Sequence, residues 1–137
     1  MTIISERAQR LCLSPLLESA AAVRRAVSAS LAGLGASPDE AADMVLAASE
    51  AFNNAICHGS MRSGDQLWLA MEAAGRELVV TLGYRGAPFP LVSPTLPEPY
   101  QPHGRGRYLM QELTDRVSYE FEDDWTQVEL RKRIRGR

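Results

Sequence analysis

The chain has 137 residues with 45% hydrophobic and 23% charged positions, the profile of one globular domain with one core. The formal net charge of -2 argues against a general nucleic-acid or membrane-surface binder, whose footprint would be basic. Two sparse cysteines, Cys12 and Cys57, lack metal-ligand spacing and read as free thiols of a reducing compartment. With no leader-like segment and no stretch long enough to cross a bilayer, a cytoplasmic protein without membrane or direct nucleic-acid partners is expected.

Arg7 to Leu13 reads as an edge strand. Ser14-Pro15 then resembles an N-cap followed by a first-turn proline, and Leu16, Ala20, Val23, Val27, Leu31 and Leu34 form an apolar helical stripe ending near Gly35. Ser37-Pro38-Asp39-Glu40 is a capping box that predicts a second helix running through Cys57 and stopping at Gly59. Leu67–Ala73 and Glu77–Tyr84 are strands joined by a turn near Ala74-Gly75. Six prolines between Pro88 and Pro102 forbid a regular helix or central strand, so 85–103 is a long loop. Arg107–Thr114 reads as a short helix, followed by strands Val117–Phe121 and Thr126–Ile134. This order predicts a single α+β domain over residues 1–137, a sandwich with helices on one face of a mostly antiparallel sheet.

Glu50 and Asn54 lie one turn apart on the second helix, hence on one face. A carboxylate beside an amide oxygen suits a magnesium-phosphate site, because magnesium takes oxygen ligands and needs few from the protein. Spacing alone favours an ordinary solvated helix face over such a site. Ala47, Ala51 and Ala55 are expected to keep the surrounding surface low. Gly104-Arg105-Gly106 before a helix would let backbone N–H groups approach an anion; the same glycines could simply close a loop. Arg105 and Arg107 add phosphate-binding side chains. His58 reads as a helix-end dipole partner.

Taken together, these segments resemble a known family. Glu50-Ala51-Phe52-Asn53-Asn54-Ala55-Ile56-Cys57-His58-Gly59 is similar to the N box of the GHKL (histidine-kinase-like) ATPases, in the form found in anti-sigma-factor serine protein kinases. Gly104 to Met110, running on to Val117, resembles their second glycine box; Gly86-Ala87-Pro88-Phe89 resembles the end of the first. Trp125 to Leu130 resembles the closing strand. The resemblance implies a Bergerat-type two-layer sandwich with an ATP lid at about 87–106. It also implies ATP and Mg²⁺ as cofactors, Asn54 as the Mg²⁺ ligand, and Glu50 acting on the acceptor serine hydroxyl. Nucleotide contacts are implied at Tyr84, Gly86, Gly104, Arg105, Gly106 and Thr126. The implied partners are a sigma factor and an anti-anti-sigma STAS-domain protein, with a homodimer common in the family.

Two positions depart from the family pattern. The first glycine box begins with an Asp that accepts from the adenine amino group; here that position is Tyr84. Arg107 stands where Leu is usual. Tyr84 favours an alternative, a partner-binding module with weak or no nucleotide binding; intact Glu50 and Asn54 favour the kinase. The ATPase part of a sensor histidine kinase is a third reading, disfavoured because no acceptor-histidine hairpin precedes the domain.

Overall fold

The computed structural model describes residues 8–59, 62, 64–88 and 105–136. The proposed lid falls almost wholly outside these residues. In chain order the elements are β1 (Gln9–Leu13), a 3₁₀ turn (Leu17–Ser19), α1 (Ala20–Gly33), α2 (Pro38–His58), β2 (Leu67–Ala74), β3 (Glu77–Arg85), α3 (Arg105–Leu113), β4 (Arg116–Glu122) and β5 (Trp125–Arg133). The strands form one sheet in the order β1-β2-β3-β5-β4, and every neighbouring pair is antiparallel. The expected α+β sandwich is therefore what the chain forms.

Period-two alternation decides the two faces. Leu67, Leu69 and Met71 on β2, Leu78, Val80 and Leu82 on β3, and Val128 and Leu130 on β5 are buried on one face. Against them pack Val23, Val27 and Leu31 of α1, Met44 and Phe52 of α2, and Met110 of α3, in one hydrophobic core. The alternate residues, among them Trp68, Gly83, Gln127, Glu129 and Arg131, lie on the opposite face.

α1 begins later than its sequence suggests. Leu16 is extended, its N–H bonds the Ser14 carbonyl at 2.8 Å, and the helix starts only at Ala20 after the 3₁₀ turn. The chain must turn out of β1 before it can wind, so Leu16 is left half exposed at the foot of the stripe. α3 begins earlier than expected, so Arg105 and Gly106 belong to its first turn.

The capping box forms as expected. The Glu40 N–H donates to Ser37 Oγ at 3.1 Å and the Ser37 N–H donates to Glu40 Oε1 at 2.9 Å. Glu40 does more than cap: it also accepts from the backbone N–H groups of Arg135 at 2.7 Å and Gly136 at 3.0 Å, tying the chain's end to the start of α2. The backbone donors of Ser37 and Arg135 hold its carboxyl down at about 2, well below its ordinary 4.5. A depressed carboxyl stabilises the fold fully above the unfolded pKa and loses that contribution as pH falls through the folded one. Glu40→Gln is therefore expected to lower the unfolding temperature at pH 7, and the gap from wild type should close as pH drops from about 4.5 towards 2. Thermal unfolding of both proteins across that range checks it; a gap that persists at the acid end contradicts it.

Candidate functional site

The capping box fixes where α2 starts, and the helical period then sets Glu50, Asn54 and His58 four residues apart along it. Ala47, Ala51 and Ala55 do not form an open shelf. They are buried, the inner stripe of α2 in the core, and of the three Ala51 alone reaches the cavity described below. The helix ends at His58, and Gly59 leaves it in extended geometry with its N–H on the Ala55 carbonyl at 3.0 Å.

Gly59 is where the end of α2 meets the end of β3. A Cβ there would stand 2.9 Å from the Arg85 carbonyl oxygen and 3.1 Å from Tyr84 Cδ2. On the other side, a Cβ on Gly86 would stand 3.1 Å from Tyr84 Cε2 and 3.4 Å from the Gly59 Cα. One edge of the Tyr84 ring is thus seated against two glycines, and Tyr84 is only 5% exposed. Gly59→Ala forces a side chain against backbone that cannot rotate away. It is expected to lower the unfolding temperature by roughly 5–10 °C, the scale of an overpacked core site. Calorimetric melting checks this; an unchanged midpoint would show that the α2–β3 junction has slack.

Backbone and side chains lock Gly86 in place. Its N–H donates to the Asp124 carbonyl at 2.7 Å, and the Thr126 hydroxyl donates to its carbonyl at 2.9 Å. Beside it, the Arg85 guanidinium donates to Asp65 at 3.0 Å and to Asp124, and lies 5.3 Å from the Trp125 ring centroid. The Asp65 carboxyl sits below its ordinary range, chiefly because the Arg62 backbone N–H donates to it, with Arg85 adding to the effect.

A cavity of about 330 Å³ opens between α2, α3 and the sheet. Such a volume lies at the lower end of ligand pockets, roughly 300–1,000 Å³. α2 supplies Ala51, Asn54 and His58; β3 and the segment after it supply Tyr84 and Ala87. α3 supplies Arg107 and Met110, and the sheet supplies Tyr119 and Val128. Burial pushes the Tyr84 hydroxyl up to about 12, helped by Tyr119 and opposed by Thr126 and Arg107. Tyr84 is therefore a neutral phenol at any ordinary pH, able to donate as well as accept. The Arg107 guanidinium lies 5.6 Å from the Tyr119 ring centroid and puts a positive charge at this wall.

The expected site residues divide as follows. Asn54 and Tyr84 share the cavity, and Gly86 and Thr126 stand behind Tyr84 as its support. Glu50 is half-buried one turn before Asn54 and is not part of the cavity wall. Arg105 and Gly106 open α3; Gly104 and the Arg105 side chain lie outside the described residues. His58, read as a helix-end residue, also lines the cavity. Met110, Tyr119 and Val128 were not among the expected site residues, although Met110 and Val128 lie within the segments that resemble the second glycine box and the closing strand.

The residues suit a magnesium polyphosphate, since the Asn54 amide and the Arg107 guanidinium line one cavity. No group of three or more His, Cys, Asp or Glu suited to a metal occurs among the described residues. Tyr84, neutral and buried, is part of the same cavity wall.

The family model of the histidine kinase-like ATPase domain matches residues 13–132, from the last residue of β1 almost to the end of β5. Among solved structures, the RsbU and RsbW domains of Rv1364c from Mycobacterium tuberculosis superpose with a TM-score of 0.70 at 22% identity. The match covers 92% of this chain and 32% of that one, so this chain spans about a third of its length. No curated protein sequence matches with significance. With its sheet order, its α2 motif and its cavity, the chain belongs to the histidine kinase-like ATPase domain family.

Proposed function

We propose that this chain is an anti-sigma factor and serine protein kinase. In this reading it holds a sigma factor and phosphorylates a serine of an anti-anti-sigma STAS-type protein, in the cytoplasm and as a homodimer. The observation that carries the reading is Asn54: it projects from α2 into the same cavity that Arg107, in the first turns of α3, lines from the other side. Family membership supports a nucleotide in that cavity.

Bound Mg-ATP supplies the transferable phosphoryl group. Asn54 offers the amide oxygen for the ion, and Arg107 offsets phosphate charge from the opposite wall. Glu50, one turn earlier and outside the cavity, takes the proton of an incoming serine hydroxyl. Placing the base outside the nucleotide chamber suits a protein acceptor, which approaches from solvent. Glu50→Gln keeps the shape and loses the basicity. It is expected to slow transfer by about a hundredfold or more while ATP affinity stays within twofold. Single-turnover transfer and calorimetry on the same preparations check it. Equal losses in both would make Glu50 a nucleotide-holding residue.

Tyr84 favours a second reading, a binding module of the same fold without kinase activity. Its ring lines the cavity, seated on Gly59 and Gly86. Calorimetry with Mg-ATP separates the two readings: no heat at millimolar nucleotide selects the module.

A further inference from the structure

The end of β3 carries an ion-pair cluster that the nucleotide reading does not use. The Arg85 guanidinium donates through Nε to Asp65 at 3.0 Å and through a terminal nitrogen to Asp124. Its two acceptors come from different parts of the chain. Asp65 follows α2, and its carboxylate also takes the Arg62 backbone N–H at 2.8 Å. Asp124 belongs to the turn between β4 and β5. One planar fork therefore joins three segments that meet where β3 ends. Isolated surface pairs add little, but the Arg85 and Asp65 side chains are only 22% and 19% exposed, and a fork matched to two carboxylates is a network of defined geometry.

Asp124 is held twice. Its carboxylate takes the Arg85 guanidinium, and its main-chain carbonyl accepts the Gly86 N–H at 2.7 Å. Gly86 in turn sets two pieces of the cavity wall. Its backbone stands against one edge of the Tyr84 ring, and the next residue, Ala87, lines the cavity. Arg85 itself is not part of that wall, because alternation along β3 sends its side chain to the opposite face from Tyr84. Without the guanidinium, the Asp65 and Asp124 carboxylates would repel each other, and the turn that anchors Gly86 would lose its tie to the end of β3.

We propose that Arg85 is a positioning residue of the cavity: from the far face of the sheet, acting through Asp124 and Gly86, it fixes Tyr84 and Ala87 in the wall that a nucleotide meets. The nucleotide in that statement rests on the reading above; the positioning does not, and its first test needs no ligand.

That test is amide hydrogen exchange on the ligand-free full chain. Arg85→Gln should speed exchange at Gly86 by about tenfold or more, while the amides of Leu78, Val80 and Leu82 keep their wild-type rates. Asp124→Ala should reproduce the effect, because it leaves the carbonyl that Gly86 bonds and removes only the hold on it. Arg85→Lys keeps the charge and loses the fork, so it should recover part of the loss. The second measurement is phosphoryl transfer at varied Mg-ATP. Arg85→Gln should raise KM about fivefold to tenfold and leave kcat within twofold. Unchanged exchange at Gly86 in either variant overturns the proposal. Faster exchange along all of β3 also overturns it, since Arg85 would then only stabilise the fold. A loosened Gly86 with an unchanged KM overturns the link to the cavity. A wild type that binds no nucleotide removes the nucleotide reading alone, and the exchange result then decides the proposal.

Discussion

Tyr84→Asp is expected to tighten ATP binding by about tenfold to a hundredfold. The phenol is buried, seated on two glycines, and has its hydroxyl pushed up to about 12, so that it is neutral at ordinary pH. A carboxylate in its place accepts only. The amino group of adenine donates only, and a charge-assisted bond between the two is worth roughly 1.5–3 kcal/mol. The smaller side chain also vacates the volume of a ring in the wall of a cavity near the lower limit for ligands. GTP presents a carbonyl at that ring position, so its gain should be much smaller. Thr126 and Gly86 keep their mutual hydrogen bond in the variant, so the wall that supports residue 84 survives. Loss of the buried ring should lower the melting temperature at the same time. Calorimetry on both proteins with both nucleotides decides. If wild type already binds ATP tightly and the variant binds it more weakly, Tyr84 is itself an adapted base contact and the binding-module reading loses its support.

Asn54→Ala should have the opposite effect and a large one. Removing the amide oxygen should cost about a hundredfold or more in phosphoryl transfer, the scale on which a single positioned polar group acts. It should also raise the Mg²⁺ concentration needed for half-maximal ATP binding. Asn54 is half-buried at the cavity wall and no part of the hydrophobic core, so the melting temperature should barely move. The magnesium dependence distinguishes an ion ligand from a residue that merely shapes the pocket. An unchanged transfer rate in a folded Asn54→Ala protein sinks the assignment.

How much of this was legible in the residues varies with the range of the interaction. Short-range chemistry read well. Ser37 and Glu40 satisfy each other across three residues, so α2 begins where the capping box puts it. The β2–β3 hairpin closes through Gly75 at φ 63°, the kind of backbone that the residue type allows. The start of α1 read poorly, because Ser14-Pro15 has the composition of a helix cap while the geometry of leaving β1 postpones the winding to Ala20. The alanines of α2 misled for a related reason: small residues suit a ligand shelf and a close helix–sheet contact equally, and only the packing chose the latter. The cavity walls were least legible. Tyr119 and Val128 are brought to α2 by a sheet in which β5 inserts between β3 and β4, and Met110 by the packing of α3 against α2, arrangements that no local pattern encodes.

The chain contains two tryptophans, and the pleat puts both on the same side of the sheet. Trp68 lies over Gly83, Trp125 lies under the Arg85 guanidinium, and neither lines the cavity between α2 and α3. Nature has thereby placed a spectroscopic probe on one surface alone. Intrinsic fluorescence of the unlabelled protein therefore reports first on that side of the sheet, since the wall of the cavity between α2 and α3 contains no tryptophan.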